Sequence, residues 1–290
     1  MTLYSTFISP FIEYGFMRRA LVGCFALALG SAPVGVLLML RRMSLMGDAM
    51  SHAILPGAAV GFLVAGGLSL PAMGLGGLVA GLSIALLSGV ISRTTALRED
   101  ASFASFYLTS LALGVLTVSL RGSNMDLLHV LFGTILAIDA PALYLVGGIA
   151  SLTIVTLAVV YRPLVTECFD PGFLRSVGGY GSLYHFLFLF LVVLNLIASF
   201  EALGTLMAVG LMMLPAAVAR LWTQTLPAMF AVASCTAAVS GYLGLVASFH
   251  YALASGPTII LTASIIYGAS LLLCPSGALR RLYPRPHYRA

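Results

Sequence analysis

The sequence predicts an all-α, polytopic membrane protein, a bundle of about nine transmembrane helices. Three observations carry that expectation. The chain is 60% hydrophobic and only 8% charged, against roughly 25% charged residues in soluble domains, so it lacks the polar side chains to cover a water-facing surface. Apolar runs of spanning length, about 17 to 25 residues, recur from end to end. The arginines sit in the short breaks between these runs and at the C-terminus, where they set topology.

Taken in order, the first span covers about 17–40. It stays apolar too long for the h-region of a secretory signal, and no basic residue precedes Arg18. The second, 50–68, follows the polar stretch LMLRRMSLMGDAMSHAILPG. The third is 71–92. The glycine-rich VAGGLSLPAMGLGGLVAGL blurs their boundary, so eight or ten spans also fit. The fourth is 102–120. After it, RGSNMDLLHVLFGTILAIDA (121–140) is too mixed to span. It is expected outside, with room for a short re-entrant helix that is buried in protein or lines a cavity. The fifth span is 140–161. The longest polar interruption follows, YRPLVTECFDPGFLRSVGGYGS (161–182), where Asp170-Pro171 can open a short helix that Gly178-Gly179 closes. Spans at 183–200, 202–221, 226–247 and 257–274 complete the set, and LRRLYPRPHYRA is a basic tail at the inner membrane surface. The 30 glycines let helices approach closely in lipid. The whole of 1–290 is therefore expected to be one packed integral-membrane domain, as in a transporter or channel.

Nine spans put the termini on opposite sides. With the N-terminus outside and the C-terminus cytoplasmic, the inner segments hold Arg41, Arg42, Arg93, Arg98, Arg162, Arg175, Arg220, Arg280, Arg281, Arg285 and Arg289. Those are eleven of the fourteen basic residues, and the positive-inside rule selects this orientation. The outer segments hold Arg18, Arg19 and Arg121. All fourteen are arginine. Without lysine the chain cannot carry the phosphate-binding loop GxxxxGK[ST], so if ATP drives it, another subunit hydrolyses the ATP. The net charge of +5 reflects topology and is no sign of a nucleic-acid partner. Cys24, Cys168, Cys235 and Cys274 form no CxxC pair and read as small apolar residues.

The chemistry concentrates between residues 38 and 57. If a helix begins near Gly47, Asp48 and His52 share one face, one turn apart. A carboxylate beside an imidazole is half of a transition-metal site. Imidazole suits zinc, manganese and iron, and the carboxylate oxygen draws the preference toward harder ions. The competing structural readings are a hydrogen bond within the helix, or Asp48 paired with Arg41 or Arg42. Ionisable groups inside membranes are costly and mark function by default. Pro56-Gly57 is expected to keep this helix from being an ordinary span.

The segment RRMSLMGDAMSHAILPGAAVGFL resembles the signature of the permease subunits of ATP-binding-cassette (ABC) importers for zinc, manganese and iron, the ABC-3 family. The likeness runs along nearly the whole chain. FMRRALVGCFALALGSAPVGVLLMLRRMSLMGD resembles the family's first span, FGTILAI its middle outer segment, and ECFDPGFLRSVG its cytoplasmic coupling segment. LGTLMAVGLMMLPAAVARLWT and SGPTIIL are similar to its late spans. The resemblance implies a bacterial cytoplasmic-membrane permease that works with a second copy of itself, two ATPase subunits and an extracytoplasmic metal-binding protein. It implies that Asp48 and His52 line the metal path, that no cofactor is permanently bound, and that the metal is cargo. A dimer would bring two carboxylates and two imidazoles together, enough to hold a divalent ion reversibly. It also implies that 166–178 docks on the ATPase, with Glu167, Asp170 and Arg175 as candidate contacts.

Other polar residues carry less chemistry. Asp126, His129, Glu201 and His250 are expected on the outer side, as access points for the ion or contacts for the binding protein. Local hydrogen bonds or helix-end charges are the simpler account of each. His185 and His287 lie near the inner face, Asn195 is expected to bond another helix, and Met207, Met212 and Met213 read as packing. An ion-coupled secondary transporter would also carry intramembrane acids and histidines. The absence of HExxH and GxSxG leaves no motif for an enzyme.

Overall fold

The computed structural model of the chain describes residues 6–66, 69–96, 99–120, 138–177 and 179–274. Every regular element among them is an α-helix. In order they are α1 (Ser9–Glu13), α2 (Gly15–Leu40), α3 (Ser44–Ala65), α4 (Leu70–Thr94), α5 (Glu99–Leu120), α6 (Ala140–Val159), α7 (Tyr161–Phe169), α8 (Pro171–Ser176), α9 (Gly181–Leu203), α10 (Thr205–Trp222), α11 (Leu226–Tyr251) and α12 (Ser255–Leu273). Seven are long and apolar enough to cross a membrane: α2, α3, α4, α6, α9, α11 and α12. The expected spans at 102–120 and 202–221 are present as the helices α5 and α10, in which the described residues include apolar stretches at Ala101–Leu113 and Met207–Trp222. Length and composition among the described residues thus give seven spans where the sequence count was nine.

The bundle is organised around α2, the most deeply buried of the seven. One core lies where α2 meets α6, α10, α11 and α12, with Leu27, Val146, Leu211, Ala233 and Ile259 at its centre. The other lies where the C-terminal half of α2 meets α3, α4, α9 and α10, around Leu37, Met50, Ile84, Phe188 and Met212. Asn195 on α9 ties the middle together, donating to Thr153 Oγ1 on α6 at 2.8 Å and to the Leu191 carbonyl at 2.9 Å. A polar pair between helices is worth about 1 kcal/mol in a membrane, and it fixes rotation as well.

The helix α3 starts at Ser44, close to the expected opening near Gly47 and ahead of the apolar run at 50–68, because the backbone bonds that start a helix are indifferent to Asp48 and His52. The expectation at Pro56-Gly57 fails, since the helix continues through Pro56 to Ala65 without a break. Proline in a spanning helix is tolerated where neighbouring groups compensate the lost bond. Gly57 and Gly61 serve packing instead. A Cβ on Gly57 would fall on the Gly76 carbonyl oxygen of α4, and one on Gly61 on the Ala72 carbonyl oxygen. Only glycine lets the two backbones come this close.

Between α9 and α10 the chain turns on one residue, Gly204, at φ 83 and ψ 167. This region is essentially closed to other residues.

Candidate functional site

The site starts at the corner joining α2 to α3. The last turn of α2 is closed by Arg41 N–H to the Leu37 carbonyl, Arg42 N–H to Met39, and Met43 N–H to Leu38, each at 3.0 Å. Arg42 takes the left-handed conformation, φ 60, that such a closure needs after the last helical residue. The chain reverses there and α3 begins two residues later.

Asp48 and His52 project from the first turns of α3, one turn apart. The His52 Nε2 to Asp48 Oδ1 separation is 3.8 Å. That is too long for a hydrogen bond, so neither group uses up the other's ligand capacity. Both stay open, with 63% of the Asp48 side chain and 35% of the His52 side chain exposed. The His52 ring is held against Tyr107 of α5, nearly parallel at 6.4 Å. The Ser51 hydroxyl donates to the Asp48 carbonyl at 2.7 Å. Gly47 leaves room for α10, since a Cβ there would lie 3.2 Å from Met213 Cε. Pro56 has no N–H to return to the His52 carbonyl, the acceptor four residues back.

The alternative of an arginine partner for Asp48 is not met among the described residues. Arg41 is engaged elsewhere. Its Nε donates to Cys168 Sγ at 3.1 Å, its Nη1 lies 2.8 Å from His185 Nδ1, and its guanidinium sits 4.6 Å over the Phe188 ring. No group of three or more histidine, cysteine, aspartate or glutamate side chains gathers among the described residues. One chain thus offers two metal donors, oxygen and nitrogen, on an exposed face.

The remaining candidates are scattered. His250 ends α11, with Nδ1 2.9 Å from the Val246 carbonyl and its ring edge-on to Phe249. That helix packs chiefly on α2, α10 and α12 rather than on α3 itself. Glu201 lies in the last turn of α9 and Arg175 in α8. Asp126 and His129 lie outside the described residues. Met207 and Met212 are buried packing residues.

The segment 161–182 departs from its expected arrangement. Asp170 caps α8, with Oδ1 accepting from Phe173 N–H at 2.9 Å, and stays exposed. Glu167 is buried, at 7% exposure, so it faces the bundle and not the surface. Four large hydrophobic residues are exposed here beside Asp170: Phe169, Phe173, Val177 and Tyr180. The spacing of Phe169 and Phe173, four apart across the α7–α8 junction, was the available signal. The sequence reading weighed only charges. It also missed the Arg41, Cys168 and His185 contacts, whose members are far apart in the chain. Burial pushes the Cys168 thiol up, against the pull of Arg41.

A polytopic helical bundle with an open carboxylate–imidazole pair on a helix long enough to span a membrane, and an apolar patch on α7 and α8, is consistent with a membrane transport protein. The chain belongs to the ABC 3 transport family, whose model matches residues 13–274. It is a multi-pass protein of the bacterial inner membrane. It is 32% identical over 273 residues to the manganese transport system membrane protein MntC of Listeria innocua, covering 94% of this chain and 96% of the relative. It is 29% identical over 270 residues to the chelated iron transport system membrane protein YfeD of Yersinia pestis, covering 93% and 89%. Among solved structures it matches PsaBC from Streptococcus pneumoniae in complex with Fab, at a TM-score of 0.84 and 28% identity over 97% of this chain and all of that one.

Proposed function

We propose that this chain is the permease subunit of an ABC importer that carries a divalent transition metal, manganese or ferrous iron, into the cytoplasm. Two copies face each other, two ATPase subunits dock from the cytoplasm, and an extracytoplasmic binding protein delivers the ion. The N-terminus is outside and the C-terminus cytoplasmic, with α5 and α10 completing nine spans. The observation that carries the reading is the exposed Asp48–His52 pair. It offers one oxygen and one nitrogen donor, held one turn apart by α3, with no third histidine, cysteine, aspartate or glutamate gathered beside them among the described residues.

Juxtaposing two copies makes a site of two carboxylates and two imidazoles. Its charge of −2 matches a divalent ion, and hard oxygens beside borderline nitrogens suit manganese and iron(II). Zinc fits the same donors, but the relatives named above favour the other two. Four ligands from two separable chains also allow release, because parting the chains halves the coordination. The exposed aromatics of α7 and α8, with Asp170 and Arg175, form the face that meets the ATPase. ATP binding shifts the permease between outward- and inward-facing states by contacting that face differently in each.

The test is uptake of radioactive manganese and iron into proteoliposomes, with and without the ATPase subunits. ATP-dependent uptake supports the importer. Equal uptake by the chain alone would establish an ion-coupled secondary transporter, the competing reading.

A further inference from the structure

Two buried charges have no role in this scheme. Arg41 Nη2 and Glu167 Oε2 are both buried, and neither has a hydrogen-bond partner among the described residues. They flank the same thiol. Arg41 donates to Cys168 Sγ, and Glu167 is the preceding residue. Yet they are not paired with each other, since the acid–base contact at ion-pair distance among the described residues is Asp48–His52. The Glu167 carboxylate lies instead at the start of α9, where its Oε2 would be 2.6 Å from a Cβ on Gly181. The N–H groups of that first turn give it partial compensation. Arg41 is held on its other side by His185 and Phe188.

A buried charge without its counter-charge is costly. Two opposite ones set about the same thiol but unpaired make physical sense if they pair during part of the working cycle. Their placement says what the pairing would transmit. Arg41 ends α2, just before the helix bearing Asp48 and His52, and Glu167 lies in α7, just before α8. We infer that Arg41 and Glu167 close into a salt bridge in the opposite-facing state of the transport cycle, as positioning residues that pass movement of the ATPase-docking helices to the metal-bearing helix. This rests on the importer reading above. As α7 shifts, the carboxylate leaves the α9 terminus and takes Arg41 Nη2, and the α2–α3 corner follows.

The test uses the full complex with its ATPase subunits in proteoliposomes. In a Cys168→Ser background, Arg41→Cys with Glu167→Cys is treated with a short thiol–thiol cross-linker, nucleotide-free and with ATP–vanadate. The expected result is a several-fold difference in cross-linked yield between the two conditions, and equal yields would overturn the inference. Gly181→Ala leaves both charges in place but evicts the carboxylate from α9. It should change the number of ions moved per ATP with the metal KM unchanged, and wild-type stoichiometry would count against the pair. If wild-type complex shows no ATP-driven uptake at all, it is the importer reading that fails.

Discussion

The two flanks of α2 are built on opposite principles. On the α11–α12 flank the helices lock through small residues: a Cβ on Gly241 would lie 2.9 Å from Cys24 Cβ, and one on Gly244 2.5 Å from Ile259 Cα. The buried polar residues of those two helices are serines and Thr258, and none is titratable. The other flank, α3 and α4 with α7 and α9, packs just as closely where Gly57 and Gly61 of α3 meet α4, but this side also holds Arg41, Asp48, His52, Glu167 and His185. The comparison shows where the molecule keeps its costly groups. The two helices of one flank bury no titratable side chain, and the other flank gathers Arg41, Asp48, His52, Glu167 and His185.

The strongest way to test that division is to remove the pair on α3. Asp48→Ala and His52→Ala should each lower metal uptake more than about 100-fold, above the ~10–100-fold that supporting residues command, with the protein still assembled in the membrane. Uptake within tenfold of wild type in both would abolish the distinction between the flanks. Gly57→Val and Gly244→Val should then cost similar stability, about 3 kcal/mol each from overpacking, read as thermal unfolding in detergent. Only Gly57→Val, which displaces α3, should also raise the metal KM of the surviving protein. An equal change in KM from Gly244→Val would show that the support flank shapes the site. Phe169→Ser with Phe173→Ser should weaken capture of the ATPase subunits by about 30-fold, the ~2 kcal/mol of an aromatic anchor, with metal binding unaltered. The smallest effect belongs to Arg42→Gly. Relief of the left-handed strain, about 1 kcal/mol, is set against glycine's greater entropy loss. Unfolding temperature should move by no more than a few degrees.

Much of this was legible in the sequence. Helices appear because lipid forbids unpaired backbone, and the runs that mark them are long enough to read directly. Asp48 and His52 were visible because ionisable groups stand out against an apolar background. Asn195 was read correctly for the same reason. The misreadings have physical causes as well. Pro56 and Gly57 looked like breakers because their effect in water was assumed, whereas between α3 and α4 glycine is what allows contact. Glu167 was placed on the surface because a lone glutamate in a polar loop usually is, and its burial depends on α9 folding back over α7. The partners of Arg41 lie 127 and 144 positions away, a distance that no local pattern spans. The apolar face of the coupling segment was passed over because hydrophobic residues carry no signal in a chain so rich in them.

Gly204 has a consequence for chirality. At φ 83 and ψ 167, the backbone there is the mirror image of ordinary extended chain. Every L-residue would meet backbone strain of about 1–3 kcal/mol, whereas a D-residue has its favoured backbone conformation there. The α9–α10 junction therefore uses an achiral residue where a right-handed world offers no other. Of all single-nucleotide changes in its codon, only the silent ones leave that junction as it is.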